Sequence, residues 1–311
     1  MADFILNWLV VSPAFAVPFA LAALGLIVAE KSGVLFLGAE GFMLVGAMTG
    51  AGALITMGGH PLLALLVAML AAALVSLIFA FLVVVLRVDQ IIAGLSMVFL
   101  CQGLTSLIST QQGWTNRPIS GLDPIALWPL SELPILGRLL FHQDAVFYAT
   151  IAIFVAFHWI SNRSLLGLRL KAVGENPDAA DAAGVSVALY RFGAVLCGAA
   201  LIGLAGAYLS VGVAKIWVDG MAGGRGWIAI ALVIFARWQP WRALAGAVLF
   251  GCIEALIPRI AAAGIQVPQY FMLMTPYVAT LAVMIWAALL RSPRTGQPAA
   301  LGTPFVREER R

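Results

Sequence analysis

The sequence predicts an all-α bundle of about nine membrane-spanning helices, with eight to ten as the bounds. Three observations carry that class. Of the 311 residues, 62% are hydrophobic and only 10% charged, where a soluble protein carries about 25% charged residues. Mean hydropathy is +1.02. Apolar runs of roughly 20 residues, each long enough to cross the hydrocarbon core as a helix, recur along the chain. They do not alternate apolar and polar residues, which excludes an outer-membrane barrel. The net charge of +4 reads as basic loops beside a membrane and not as a nucleic-acid surface. Cys101, Cys197 and Cys252 lie far apart in apolar segments, without CxxC or Cys/His spacing, and read as structural thiols.

The chain justifies its spans in order. Asp3 and the absence of a basic residue before the first apolar run argue against a cleaved signal peptide, so the first span (about Val10 to Val28) is expected to be retained. A polar break follows at Glu30-Lys31-Ser32-Gly33. Span two, about Leu37 to Met57, is studded with glycines, and span three runs from about Leu62 to Leu86. Span four, Ile91 to Ser109, leads into a proline-rich loop from Thr110 to Asp144. Span five is about Ala145 to Ile160, and span six about Phe192 to Val211. Trp227 to Ala236 is too short to cross as a plain helix; it either begins earlier or is a broken helix. Span eight covers about Ala243 to Ala261 and span nine Phe271 to Leu290. This gives a membrane domain over residues 1–290 and a polar tail over 291–311, expected to be disordered.

With nine spans, the 18 Lys and Arg residues divide thirteen to five, the five being Arg117, Arg138, Lys215, Arg225 and Arg259. The larger set marks the cytoplasmic side, which puts the N-terminus outside and the polar segment 161–191 inside. That segment is patterned. Asn176 suits an N-cap and Pro177 the first helical position. Asp178 and Asp181 place negative charge in the first turns, and Gly184 suits a left-handed C′ residue. The result is a helix of about two turns, too short to stand alone in water. A short helix held between two spans can be gripped by a soluble partner that tilts its neighbours; the plain alternative is an ordinary surface loop.

Two stretches then carry a resemblance. GLRLKAVGENPDAADAAGV, residues 167–185, is similar to the cytoplasmic loop of permease subunits of ABC importers for nucleosides and simple sugars, within the branched-chain amino acid/ribose-type permease superfamily. There the pattern is Arg-hydrophobic-x-Ala-Val-Gly-x-Asn-Pro, then an alanine-rich helix ending at Gly. EKSGVLFLGAEGFMLVGA, residues 30–47, resembles that group's Glu-Arg-Ser-Gly-Val-x-Asn-Leu-Gly-x-Glu-Gly-Met-Met-Leu-x-Gly-Ala. Phe36 stands where the group has Asn, and Lys31 replaces Arg. Val34-Leu35-Phe36-Leu37-Gly38 differs from the ribose-type pattern, Ile-Asp-Leu-Ser-Val-Gly, which favours the nucleoside-like branch over the ribose-like one and also over the branched-chain amino acid branch.

The resemblance implies the ABC importer permease fold, in the bacterial cytoplasmic membrane, with no cofactor in this chain. ATP and magnesium would be bound by separate ATPase subunits. A second related permease, as a heterodimer, and an extracytoplasmic substrate-binding protein complete the expected partners. It marks Gly174, Glu175, Asn176, Pro177, Asp178, Ala180, Asp181 and Gly184 as the ATPase-coupling surface. The translocation path is expected near Phe36, Gly38, Glu40, Gly41, Gly46 and Glu254. The glycines suit either close helix packing or a backbone-lined path. Glu40, near the start of span two, suits a role at a helix N-terminus. Glu254 lies deep in span eight and is either a buried structural partner or a path residue. His60 and His158 have no ligand partner nearby in sequence, and the tryptophans near span ends suit interface anchoring. The chain has no G-x-x-x-x-G-K-[ST], so it does not bind and hydrolyse ATP by itself. A secondary transporter and a membrane enzyme are weaker readings, since no repeat, HExxH or G-x-S-x-G stands out.

Overall fold

A computed structural model describes residues 2–126, 136–262 and 296–306, with Met274, Val278, Leu281, Ala282 and Ile285. Among the described residues, seven helices are long and apolar enough to cross a membrane. Four of them are α1 (Ala2–Glu30), α2 (Ala39–Met57), α3 (Pro61–Ala80, continued by a π-helical turn Phe81–Val85) and α4 (Gln90–Gln112), and the other three are α6, α9 and α11, whose ranges follow. A short hairpin pairs β1 (Ile125–Ala126) with β2 (His142–Gln143), around α5 (Leu136–Leu140). Then come α6 (Ala145–Arg163), α7 (Leu165–Glu175), α8 (Pro177–Ala182) and α9 (Val187–Ala207, continued by a π-helical turn Tyr208–Ala214). The last two are α10 (Arg225–Ala236) and α11 (Pro240–Ala262). Apart from its five described residues, the span expected at Phe271–Leu290 lies outside the described part.

The elements differ from expectation in instructive ways. The first helix starts well before Val10 and takes Pro13 and Pro18 in its interior, a tolerance that neighbouring helices supply in membranes. Asp89 caps α4 by accepting from the Ile91 and Ile92 N–H groups at 2.9 Å, and Asp144 caps α6 by accepting from Val146 and Phe147 at 2.9 and 3.0 Å. Both caps satisfy donors that helix geometry leaves free.

At the centre stand α1, α2 and α9, whose apolar windows are 72%, 72% and 78% buried. Small residues let their backbones touch. A Cβ on Gly25 of α1 would lie 2.5 Å from the Gly198 carbonyl of α9, and one on Gly198 would lie 2.5 Å from the Gly25 carbonyl. A Cβ on Gly46 of α2 would run into the Gly203 backbone of α9. Such contacts replace the hydrophobic drive that lipid cannot give. The outer helices present leucines to their surroundings, as with Leu66, Leu70 and Leu74 of α3.

Two stretches of non-helical backbone enter this bundle. After α1, residues 31–38 turn back among the helices, with Ser32, Gly33, Val34 and Phe36 buried. After α9, residues 215–224 run from the end where Asn116 donates to the Trp217 carbonyl (2.9 Å) to the start of α10. With 12 residues, α10 spans about 18 Å, short of the roughly 30 Å core. It is too short to cross alone, and the non-helical residues 215–224 lead into its first turn. Non-helical backbone is tolerated at such depth only where protein surrounds it.

The tail is corrected by the structure. Residues 296–306 are fixed to the bundle: Ala300 N–H donates to the Gly174 carbonyl at 2.9 Å, and Gly302 N–H to the Gly33 carbonyl at 3.0 Å. Arg191 Nη1 donates to the Thr303 carbonyl at 3.1 Å. These are backbone-centred bonds to distant segments, and a polar, proline-containing composition does not report them.

Gly46→Val is predicted to lower stability by about 3 kcal/mol, because neither backbone at the α2–α9 contact can yield. Thermal unfolding of the purified protein in detergent, with Gly193→Val as the control at a position with free space, measures the difference.

Candidate functional site

The 161–191 segment folds as two helices meeting at one residue. Ser164 Oγ accepts the Gly167 N–H at 3.1 Å and starts α7. Asn176 ends α7 and caps α8, its Oδ1 accepting from Ala179 N–H at 3.0 Å, with Pro177 at the first helical position. At the other end Gly184 takes a φ of 81°. Its N–H donates to the Asp181 carbonyl and the Val185 N–H to the Ala180 carbonyl, both at 2.9 Å. That pair of bonds is a Schellman closure, and its usual hydrophobic contact is present as Val185 against Ala180. The left-handed φ makes Gly184 the residue that allows it.

One face of α8 is anchored and the other free. Ala180 is buried with Val173 and Val187, and Tyr190 and Phe305 pack against them. Glu175, Asn176, Asp178, Ala179, Ala182 and Ala183 are exposed, while Pro177 and Asp181 are half-buried. The free face is thus small side chains and a carboxylate on a helix clamped at both ends.

Gly174 connects this helix pair to the bundle. A Cβ there would run into the Lys31 carbonyl, so α7 rests directly on the non-helical break after α1. The Lys31 ammonium lies 5.5 Å from the centre of the Phe157 ring. Burial, and secondarily Lys171, push the Lys31 amine down from 10.5 to about 8. A polar chain ties the same end laterally: Lys171 Nζ donates to Asn162 Oδ1 at 2.9 Å, Asn162 lies 3.2 Å from His158 Nδ1, and Trp241 Nε1 donates to His158 Nδ1 at 3.1 Å. Trp238 Nε1 donates to the Glu30 carboxylate in the interior. The sequence left His158 without a partner because these contacts join α6, α7 and α11 across the fold.

A second cluster lies where α2 and α10 begin. Glu40 is 9% exposed, and its two carboxylate oxygens accept from Gly224 and Gly226 N–H groups, each at 2.7 Å. The carboxylate therefore caps α10, not its own helix, and complements the positive end of a helix that starts inside the bundle. Gly226 permits the approach, since a Cβ would lie 2.5 Å from the Glu40 Cα. Beside it, Arg225 forms an ion pair with Glu254, and Arg225 Nη1 also donates to the Met221 and Ala222 carbonyls at 3.0 and 3.1 Å. The two acids and one arginine, all from different elements, hold α10 in place.

Of the expected path residues, the structure brings Glu40 and Glu254 to this cluster. The others pack elsewhere. Phe36 is fully buried, stacked on Phe42 and tilted on Phe79, both at 5.1 Å between ring centroids; it fills the core where a path contact was expected. A Cβ on Gly38 would lie 2.6 Å from the Phe42 ring, and one on Gly41 would lie 2.9 Å from the Val98 Cα. Gly41 against α4 and Gly46 against α9 serve contact between helices, while Gly38 leaves room for the Phe42 ring of its own helix. Arg225 was assigned to an outer loop by charge counting, and its pairing is a contact of distant segments that the sequence does not signal.

A bundle of long apolar helices carrying a clamped polar helix pair at one end suits a membrane permease, and the comparisons with known proteins supply the class. Residues 4–290 match the family described as branched-chain amino acid transport system / permease component. The chain belongs to that family and is a permease subunit of an ABC importer. It is 37% identical over 311 residues, covering 93% of this chain and 94% of the relative, to a putative glucose ABC transporter permease protein of Haloferax volcanii. It is 32% identical over 308 residues, 95% of each chain, to a guanosine ABC transporter permease protein of Bacillus subtilis. A nucleoside ABC transporter permease protein of Lactococcus lactis is 31% identical over 296 residues, covering 87% of this chain and 88% of the relative.

Glu254→Leu is predicted to cost about 2 kcal/mol by leaving Arg225 without its carboxylate, a figure at the low end because the pair is partly exposed. The double variant Arg225→Met/Glu254→Leu is predicted to regain most of that loss. Thermal midpoints of the two variants and the parent measure both steps.

Proposed function

We propose that this chain forms the translocation path for nucleosides in an ATP-driven importer and is driven by a separate ATPase that docks on α8. One observation carries the reading: α8 is clamped at its base, bare on its outer face, and joined through Gly174 to the backbone break that enters the bundle. A soluble motor pressing on that face would move α7, and α7 cannot move without pushing on the Lys31 carbonyl. From there the push reaches α1 and α2, while α6 and α9 flank the same segment. The proposed motion alternates access to a central path. No covalent chemistry is asked of this chain, and ATP with magnesium would sit in the partner.

The reading includes nine crossings. The seven long helices supply seven. The non-helical segment 215–224 continued by α10 would supply another, and residues 271–290 the ninth. This arrangement puts Lys31, Lys171, Arg191 and the tail on one side, which charge counting makes cytoplasmic. The proposed assembly is a heterodimer with a second related permease in a bacterial cytoplasmic membrane, fed by an extracytoplasmic substrate-binding protein. Apolar outer faces such as that of α3 suit lipid and a partner permease.

Simple sugars are the second reading, supported by the 37% identity to the relative named as a glucose permease. The nucleoside reading is supported by the two relatives named for guanosine and nucleosides and by the 30–47 motif. Uptake of labelled guanosine, cytidine and glucose into cells with the whole transporter, with and without this subunit, separates them. The predicted result is subunit-dependent nucleoside uptake that unlabelled guanosine competes away and glucose does not. Subunit-dependent glucose uptake that ignores nucleosides would transfer the assignment to sugars.

A further inference from the structure

The fixed tail does more than cover the bundle. Residues Glu175–Asp178 form one wall of a cleft of about 350 Å³, and Ala299–Val306 form the other. Among the described lining residues, the ionisable groups are Glu175 and Asp178, both exposed. Phe305 supplies an apolar flank, seated against the Val173, Ala180 and Val187 cluster beneath α8. Ala299 N–H donates to Glu175 Oε2 at 3.3 Å, which links the walls. The cleft opens beside the bare face of α8 and shares Asp178 with it.

The tail wall is held by three elements at once. Its bonds reach the Gly174 carbonyl at the end of α7, the Gly33 carbonyl in the break after α1, and Arg191 in the first turns of α9. Arg191 is 2% exposed, and its Nε and Nη2 have no hydrogen-bond partner among the described atoms. The Thr303 carbonyl is thus the hydrogen-bond partner shown for its guanidinium, and breaking that bond would leave a further buried donor unsatisfied, which is costly. A segment with this many long-range backbone bonds forms a fixed surface.

We propose that the C-terminal segment 298–306 is the second half of the ATPase-docking surface, and that the ATPase subunit enters the cleft with a cationic side chain. The proposal rests on the reading of α8 as the ATPase contact. The ATPase is the occupant because the cleft is continuous with the bare face of α8, so whatever covers that face also covers the cleft mouth. The cleft wants a Lys or Arg: the aliphatic stem lies along Pro304 and Phe305, and the charged head meets Glu175 and Asp178 in charge-assisted bonds. A partner that grips both walls pushes α8 and the tail together, and through the tail it reaches the break after α1 by a second route.

The test titrates the purified ATPase subunit onto the permease assembly in lipid nanodiscs. The variants are Ala299→Arg and Pro304→Arg on the exposed tail wall, and Ala179→Arg on the bare face of α8. Each adds a cation at an exposed position and leaves the three anchoring carbonyls in place, so thermal midpoints stay at the parental value. The expected result is about tenfold weaker ATPase binding for all three, with the parental affinity falling as salt rises. Full-strength binding by both tail variants alongside weakened binding by Ala179→Arg overturns the tail proposal and leaves the α8 reading standing. Full-strength binding by all three overturns both. Weakening by the tail variants alone overturns the α8 reading and, with it, the joint surface of α8 and tail.

Discussion

The structure depends on how a stretch of non-helical backbone survives inside a helical bundle. Residues 31–38 cannot bond within themselves as a helix does, and hydrocarbon offers no water to replace those bonds. The last turn of α1 takes the Lys31, Ser32 and Gly33 N–H groups on the Ile27, Ala29 and Glu30 carbonyls, and other elements supply the rest. Gln90 Oε1 accepts the Leu35 N–H at 2.6 Å, and Gly302 of the tail donates to the Gly33 carbonyl. Past the break, Glu40 sends its carboxylate to the N-terminus of α10. The break is therefore the point at which α4, the tail and the α7–α8 pair meet the central helices, with the Glu40 contact to α10 just past it. A disturbance at any of these reaches the others through bonds that have no solvent substitute.

This arrangement explains why the extramembrane helix pair sits where it does. Glycine at position 174 brings α7 onto the Lys31 carbonyl, and no larger residue allows that contact. The Schellman closure at Gly184 and the Asn176 cap make α8 rigid despite its six residues, which isolated chain of that length could not be. Rigidity suits the proposed docking role, since a frayed helix would absorb a push by unwinding. The opposite end is tied differently. There Tyr208 donates its hydroxyl to Asp144, and Ser109 Oγ donates to Asp219 at 3.1 Å, fastening the extended loops to α4 and α9.

Much of the fold was legible in the sequence, because its class follows from composition and run length. The caps of α8 were legible too, since Asn176, Pro177 and Gly184 act through local backbone geometry that any two-turn helix would need. Three things were not. The Arg225–Glu254 pair joins residues 29 positions apart on two different helices. Phe36 looks like a path residue by its motif position, yet its neighbours Phe42 and Phe79 turn it into core. The tail reads as disordered by composition because its order comes from carbonyls at Gly33 and Gly174, which no side-chain pattern announces. Each of these is a long-range contact, and periodicity and capping report only what happens within a few residues.

The central claim is that force on α8 enters the bundle through Gly174 and the break after α1. The most direct measurement is the number of substrate molecules imported per ATP hydrolysed by the whole transporter in proteoliposomes, for the parent and for Gly174→Ala. The added methyl would separate α7 from the Lys31 carbonyl while the bare face of α8 stays intact. ATP hydrolysis is expected to persist while transport per ATP falls about tenfold, as a push on α8 is lost before it reaches the bundle. An unchanged ratio, in a variant that still assembles and melts as the parent does, would contradict the claim.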